Sequence, residues 1–296
     1  MTAVSKDPRS GYYRLDPVPS DKELTSFYES RYYDLIRKGG RAPELRRLSE
    51  GGPAAQRERE WLRQGLYRDI AETLREIAPT TARVLDVGAG TGDFVRFMRE
   101  SGYQAEGIEP AKEPSSAARE QGLPIHTATL SSWASDPSRA GTVDAVVMVD
   151  VLEHVPDPEA ALAQTLTLLS PSGLVVIRVP NDFSEIQESA RKLLMKDPPW
   201  WVCAPDHINY FSVRSLQKFL GNWGMKTAFV MTDFPMEFFL LMGDDYTADP
   251  AVGAAVHEKR VKFELALPPT LRRKLYAALA SVGIGRSVMA FAKRGE

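Results

Sequence analysis

Val84-Leu85-Asp86-Val87-Gly88-Ala89-Gly90-Thr91-Gly92-Asp93 is the stretch from which the rest of the 296-residue chain can be read. An apolar run of strand character enters a turn with three glycines, and an amphipathic stretch follows. Glycine reaches backbone conformations closed to other residues and lets a ligand approach the main chain, while the N–H groups opening the next helix point at it. Two ligand classes use such a strand–turn–helix: dinucleotides, and nucleosides such as S-adenosylmethionine.

Outward from this loop, short apolar runs alternate with helical stretches. Strands are expected near 83–87, 103–109, 124–128, 143–149, 173–180, 225–231 and 286–293, and helices near 92–101, 111–121, 158–169 and 213–223. That alternation predicts an α/β fold built on a mostly parallel sheet with helices on both faces. Ahead of it, 21–37 and 54–77 carry apolar residues at helical spacing, separated by a Gly- and Pro-rich loop. Two more helices are expected near 252–266 and 269–281. The chain thus divides into an N-terminal helical cap (1–77), a ligand-binding α/β core (78–232), a lid-like helical insertion (233–285) and a last core strand (286–296).

The dinucleotide fingerprint has a third glycine where this chain has Asp93, and a carboxylate there repels a pyrophosphate. Asp86 adds a second negative charge, suited to the amino group and sulfonium of S-adenosylmethionine. Glu109, at the end of the second strand, is placed to accept both hydroxyls of a ribose, a role shared by both ligand classes.

Composition narrows the function further. The chain is 43% hydrophobic and 26% charged, with a single cysteine, Cys203, which excludes internal disulfides and a cysteine-based zinc site. Net charge is −2, but residues 81–180 carry 7 basic and 13 acidic groups, so no basic track for a nucleic acid is present. There is no secretory apolar segment near the start and no run of eighteen apolar residues. A cytoplasmic enzyme with a small-molecule partner and no membrane or nucleic-acid partner is expected.

VLDVGAGTG followed by GIEP resembles the first two motifs of class I S-adenosylmethionine-dependent methyltransferases. VDAVVMVDVLEHVPDP resembles the fourth-strand motif of their small-molecule branch, the ubiquinone-biosynthesis-like and sugar-modifying enzymes. PDHINYFSVRSLQKFL and the N-terminal YYRLDPVPSDKELTSFYESRYY are also similar. The resemblance covers 80–232 well and the N-terminus loosely. It implies a seven-stranded Rossmann-like sheet, S-adenosylmethionine as cofactor and S-adenosylhomocysteine as product.

Carried over by position, the resemblance implies that Asp86, Gly88, Ala89 and Gly90 hold the methionine end of the cofactor and Glu109 the ribose. Pro110 lies beside the adenine, Leu130 and Ser131 edge it, and Val149 and Asp150 line the cofactor at the end of the fourth strand. Relatives often have an acidic residue near Ser131 to accept the adenine amino group; this chain reads TLSSW there. Tyr28 and Tyr33 are candidates to close over the methionine carboxylate, or else to pack a helix.

Methyl transfer from a sulfonium is an in-line displacement, so the protein positions the acceptor and, for a hydroxyl, removes a proton. Histidine is the usual base near neutral pH. His154, past the fourth strand, and His207, in Asp206-His207-Ile208-Asn209-Tyr210, are the candidate bases; each is set against a loop-holding role. His126 lies within a strand and reads as structural. No tight metal-ligand spacing is present, and no metal is expected.

Arg178 interrupts an otherwise apolar strand and needs a partner, either an acidic residue of this chain or an acidic group of the substrate. Glu153, Arg178, Asn181, Tyr210, Trp201 and Phe238 are expected around the acceptor. The expected reaction is methyl transfer to a small molecule, a hydroxyl oxygen first, in a sugar- or secondary-metabolite-tailoring step. Transfer to nitrogen or carbon, NAD-dependent oxidoreduction, and a non-catalytic S-adenosylmethionine-binding regulator are the alternatives.

Overall fold

The computed structural model describes residues 3–27, 35, 46–48 and 51–295. Two short strands, β1 (Ala3–Lys6) and β2 (Tyr13–Asp16), open the chain. The main sheet follows from β3 (Arg83–Val87), β4 (Gln104–Ile108), β5 (Ile125–His126), β6 (Val143–Val149) and β7 (Leu169–Pro180). After β8 (Asn209–Tyr210) come β9 (Met225–Thr232) and β10 (Ser287–Arg294). The seven-stranded order is β5-β4-β3-β6-β7-β10-β9, parallel throughout except that β10 runs against both neighbours.

The central strands are continuous apolar runs because both faces are covered. Alternate side chains enter opposite layers. Leu85, Val146, Met148, Val175 and Ile177 pack with Leu162, Leu216 and Phe219, from helices Pro158–Leu168 and Val213–Asn222. Val84, Ala145, Val147, Leu174 and Val176 pack with Ile70, Leu74, Val95, Met98 and Tyr276, from helices Arg68–Ile77, Asp93–Glu100 and Pro269–Ser281. At about 1.5–3 kcal/mol per fully buried aliphatic side chain, these two layers dominate the stability.

The strands and core helices stand within a few residues of their expected places; the segments around them depart further. The expected 54–77 helix begins at Gly52, with Pro53 in its first turn, where a missing N–H is harmless. It passes through a π-helical segment at Arg63–Tyr67 around the buried Gly65, a weak helix former, before continuing as Arg68–Ile77. Helix Asp21–Phe27 is the described part of the expected 21–37 helix.

A second sheet, β1-β2-β8, has no counterpart in the sequence reading. Tyr13 pairs with Tyr210 and Arg14 with Asn209, which ties the N-terminus to the segment holding His207. Strands of four and two residues are too short for periodicity to reveal. Among the described residues, no helix is long and apolar enough to cross a membrane.

Candidate active site

β3 delivers the chain into the glycine loop at the carboxyl edge of the sheet, the side on which open α/β sheets bind ligands. Gly88, Gly90 and Gly92 have φ of 79°, 50° and 79°, a region unfavourable for residues with a Cβ. The loop is closed onto the next strand, since Gly88 N and Ala89 N both donate to the Ile108 carbonyl at 2.9 and 3.0 Å. Gly107 on β4 allows the close approach, because a Cβ there would come within 2.5 Å of the Ala89 Cβ. Above Gly90 a Cβ would meet no atom within 4 Å. The loop is therefore tight on its sheet side and open on its ligand side.

Glu109 bridges the two turns. Its Oε2 accepts from Gly90 N at 3.0 Å and its Oε1 from Ala111 N at 2.8 Å. Each carboxylate oxygen has a second lone pair, so these bonds aim the group and still leave acceptors for a diol. Asp86 is buried, with 5% of its surface exposed, and accepts no hydrogen bond among the described residues. Burial, reinforced by the Glu109 charge, raises its carboxyl to about 7. A buried acceptor without a donor fits the ammonium of an amino-acid moiety.

Tyr67 is a residue the sequence reading missed at this site. Its ring packs on Phe94, with centroids 5.2 Å apart, and the charges of Asp93, Asp86 and Asp150 act on its phenol. Burial first, then these carboxylates, push the phenol above its ordinary range. The residue lies in the π-helical segment, where regular helical spacing no longer tells which face a side chain takes. Tyr28 and Tyr33, the aromatic residues expected over the loop, lie outside the described residues.

On the adenine side, Pro110 is exposed and Ala111 caps helix Lys112–Glu120. Thr129 forms a capping box with Ser132 that starts helix Leu130–Ala134, leaving Ser131 exposed and Leu130 packed against the core. Val149 is half-buried at the end of β6. Asp150, with φ 56°, turns the chain out of the sheet.

The two candidate histidines are 53 positions apart in sequence yet adjacent, their rings edge to face with centroids 4.8 Å apart. Main-chain lacing brings them together. Ile208 N and Asn209 N donate to the Glu153 carbonyl at 2.7 and 3.0 Å, and Asn209 Nδ2 donates to the carbonyls of Leu152 and Val155. His154 Nδ1 lies 2.8 Å from the Asp206 carbonyl. Ligand atoms of His154, Asp206 and His207 all fall within 4.8 Å of one another, a grouping of metal-binding residue types that spacing along the chain does not disclose. Glu153, beside His154, is 1% exposed, and its Oε2 has no hydrogen-bond partner. Burial, then the nearby Asp150, raises its carboxyl well above the carboxylate range.

Several residues expected around the acceptor have internal work. Arg178 pairs with Asp150 at 2.5 Å and with Asp233 at 3.1 Å, and donates to Ser287 Oγ at 2.9 Å. Its ionic partners are thus carboxylates of this chain, and both oxygens of Asp150 accept from Arg178 Nη1. Asn181 is fully buried, donating to the Gly283 and Gly285 carbonyls and accepting from Val213 N, so it clamps the turn into β10 instead of lining a pocket. Tyr210 is 1% exposed; its hydroxyl donates to the His207 carbonyl at 2.6 Å and accepts from Cys203 N, which holds the histidine loop. Trp201 packs with Leu15 and Tyr210 beneath the small sheet. Phe238 is partly exposed on helix Glu237–Leu241. His126 bonds Glu106 at 3.1 Å, in keeping with its structural reading.

A family model described as a methyltransferase domain matches residues 56–227, more than half of the chain. This chain belongs to the methyltransferase domain family. Among curated proteins, this methyltransferase-domain chain is 34% identical over 117 residues to the ubiquinone biosynthesis O-methyltransferase of Chromobacterium violaceum, covering 38% of this chain and 48% of that protein. Its identity to the same enzyme of Xanthomonas axonopodis pv. citri is 36% over 109 residues, covering 36% and 46%. The chain spans about half the length of the curated relatives it matches.

Solved structures share the fold at low identity. The plantazolicin methyltransferase BpumL in complex with S-adenosylhomocysteine has a TM-score of 0.53 at 14% identity, over 92% of this chain and 94% of that one. The Burkholderia thailandensis 1,6-didemethyltoxoflavin-N1-methyltransferase has a TM-score of 0.52 at 14% identity, over 98% and 97%. The methyltransferase-domain chain therefore has the class I Rossmann-like fold, and S-adenosylmethionine is the cofactor of that class.

Proposed function

We propose that this protein transfers a methyl group from S-adenosylmethionine to a hydroxyl oxygen of a small-molecule acceptor, with His154 as the base. When bound, the cofactor supplies an electrophilic methyl carbon and a neutral thioether leaving group. Asp86 holds the ammonium of its amino-acid moiety, Glu109 its ribose hydroxyls, and the open face over Gly90 admits the chain between them.

The observation that carries the reading is the His154–Asp206 hydrogen bond. A carbonyl oxygen can only accept, so Nδ1 carries the hydrogen, and in the neutral ring Nε2 is then the basic nitrogen. A base fixed in one tautomer at the carboxyl edge takes the hydroxyl proton as the oxygen attacks the methyl carbon in line with the departing sulfur. The names of the curated relatives, O-methyltransferases, support oxygen as the accepting atom. The grouping of His154, Asp206 and His207 supports a second reading, in which a divalent cation held there lowers the pKa of the acceptor hydroxyl.

Calorimetric titration with S-adenosylhomocysteine, with NAD in parallel, tests the cofactor. Micromolar binding of S-adenosylhomocysteine alone is expected, and binding of NAD alone overturns the reading. Turnover after exhaustive chelation separates the two mechanisms, since activity that survives belongs to the base and activity restored only by an added divalent cation belongs to the metal.

A further inference from the structure

The turn that leaves β6 is seated on the glycine loop. A Cβ on Gly88 would come within 2.8 Å of the Val151 side chain, so this turn closes one side of the loop. Asp150 opens the turn with φ 56°, a left-handed conformation that persists only where the surroundings impose it. Arg178 imposes it here. Its carbonyl accepts from Asp150 N at 2.9 Å, and its Nη1 donates to both Asp150 carboxylate oxygens at 2.5 Å. Arg178 thus fixes the entry to the segment that runs on to His154.

Arg178 is itself held from behind. Its Nη2 donates to Asp233 Oδ2 at 3.1 Å, and the same oxygen accepts from Arg260 Nη2 at 2.9 Å, while Asp233 Oδ1 accepts from Ser287 N at 2.6 Å. Arg260, on the insertion helix Pro250–Ala266, donates through Nε to Glu264 Oε1 at 3.2 Å. Glu264 also accepts from the Tyr276 hydroxyl at 2.8 Å and from Trp61 Nε1 at 2.5 Å. Charges alternate along the row Asp150, Arg178, Asp233, Arg260, Glu264. It begins beside the glycine loop, crosses the insertion and ends on Trp61 of the N-terminal helix Gly52–Leu62.

Burial is uneven along this row, and that decides where it yields. The side chains of Arg178, Asp233, Arg260 and Glu264 are at most 16% exposed, whereas Asp150 is 46% exposed. A buried charge that loses its partner has no water to replace it, and a half-exposed one does. Without Arg260, Asp233 depends on Arg178 alone among its cations. Arg178 then closes on Asp233 and releases Asp150, the member that solvent can satisfy. We propose that Arg260 is a positioning residue of the cofactor site: through Asp233 and Arg178 it holds Asp150, and with it the turn seated on Gly88. The insertion therefore serves the cofactor as well as covering the sheet edge. This rests on the methyl-transfer reading above, which puts the cofactor at the glycine loop.

The test is calorimetric titration of the full chain with S-adenosylhomocysteine, in a double-mutant cycle between Arg260 and Asp150. Arg260→Gln should weaken binding about fivefold or more, the scale of a coupling passed through packed neighbours. In the Asp150→Asn background the same substitution should cost less than about twofold, because its effect travels through the Asp150 carboxylate. A purely structural arginine lowers the Tm in both backgrounds and leaves that difference at zero. Should Arg260→Gln fail to fold, the double variant Arg260→Gln, Glu264→Gln removes both charges of the outer pair, leaves none buried alone there, and enters the same cycle. Equal losses in the two backgrounds overturn the proposal, and so does a lower Tm with unchanged S-adenosylhomocysteine affinity. Failure of the parent chain to bind S-adenosylhomocysteine strikes the methyl-transfer reading instead, and the positioning role falls with it.

Discussion

His154 Nδ1 and the Asp206 main-chain carbonyl oxygen lie 2.8 Å apart, which orients the imidazole through the backbone of a segment fifty-two positions away. His154→Gln removes the basic nitrogen at similar volume. Turnover should fall about 10²-fold or more, with S-adenosylhomocysteine affinity unchanged within about twofold. His207→Gln should have the smaller effect if His154 is the base. Equal losses in both variants, reversed by a divalent cation, identify the metal reading.

Asp86 makes apo stability pH-dependent. Its folded carboxyl lies at about 7 against 3.8 for the ordinary side chain. The native state therefore binds the proton more tightly, and this contribution is full below 3.8 and lost as pH rises to about 7. Asp86→Asn, permanently neutral, should be more stable than the parent by an amount that grows between those values and then levels. A three-unit difference sets the scale at roughly 4 kcal/mol. Denaturant melts at pH 4.5, 6 and 8 check it, and a constant difference across the three removes Asp86 from its assigned burial.

The same residue links cofactor binding to pH. If a cationic ligand requires the ionised carboxylate, affinity for S-adenosylhomocysteine weakens as pH falls below about 7, with proton release on binding. Calorimetry at pH 6 in two buffers of different ionisation enthalpy reads the released protons directly. No release at that pH argues that Asp86 does not meet the ligand charge.

Glu109 holds two loop N–H groups as well as any ribose, so its removal should cost more than one contact. Glu109→Ala should weaken S-adenosylhomocysteine binding by roughly 1–3 kcal/mol per charge-assisted bond lost, and Glu109→Gln, which keeps one oxygen, by less. Equal affinities for the parent and Glu109→Ala place the ribose elsewhere.

Arg178 is an internal keystone between Asp150 and Asp233, its side chain only 16% exposed. Arg178→Met should destabilise the fold by about 1–3 kcal/mol, because Asp150, partly exposed, loses its counter-charge while Asp233 keeps Arg260 at 2.9 Å. Adding Asp150→Asn should recover part of the loss, and a double-mutant cycle measures the coupling. Unchanged stability in Arg178→Met with a raised acceptor KM returns the arginine to substrate binding.

Features that depend on neighbours in sequence were readable before the fold was known. The apolar runs of β3, β6 and β7 announce strands buried on both faces. The glycines at 88, 90 and 92 announce a turn of positive φ, and Glu109 announces itself at a strand end. The small sheet was not readable, because strands of two and four residues carry no period. Tyr67 was hidden by the π-helical segment, which rotates its side chain off the regular helical face.

Polar residues were read by type alone, and type does not say where a hydrogen bond goes. Asn181, Tyr210 and Trp201 looked like pocket residues because polar and aromatic groups near a sheet edge often are. Each is buried, Asn181 and Tyr210 holding a loop or turn by hydrogen bonds and Trp201 packed beneath the small sheet. Arg178 called for a counter-charge, but only the packing of β6, β7 and β9 selects Asp150 and Asp233.

Periodicity, turn chemistry and the order of charges along the chain thus determined the sheet, the glycine loop and the cofactor class, since these follow from interactions over a few residues. The pairing of His154 with His207 and the contact of His154 with the Asp206 carbonyl were decided only in three dimensions. They arise where segments far apart in sequence are laced together by main-chain hydrogen bonds, and no spacing along one chain encodes such a meeting.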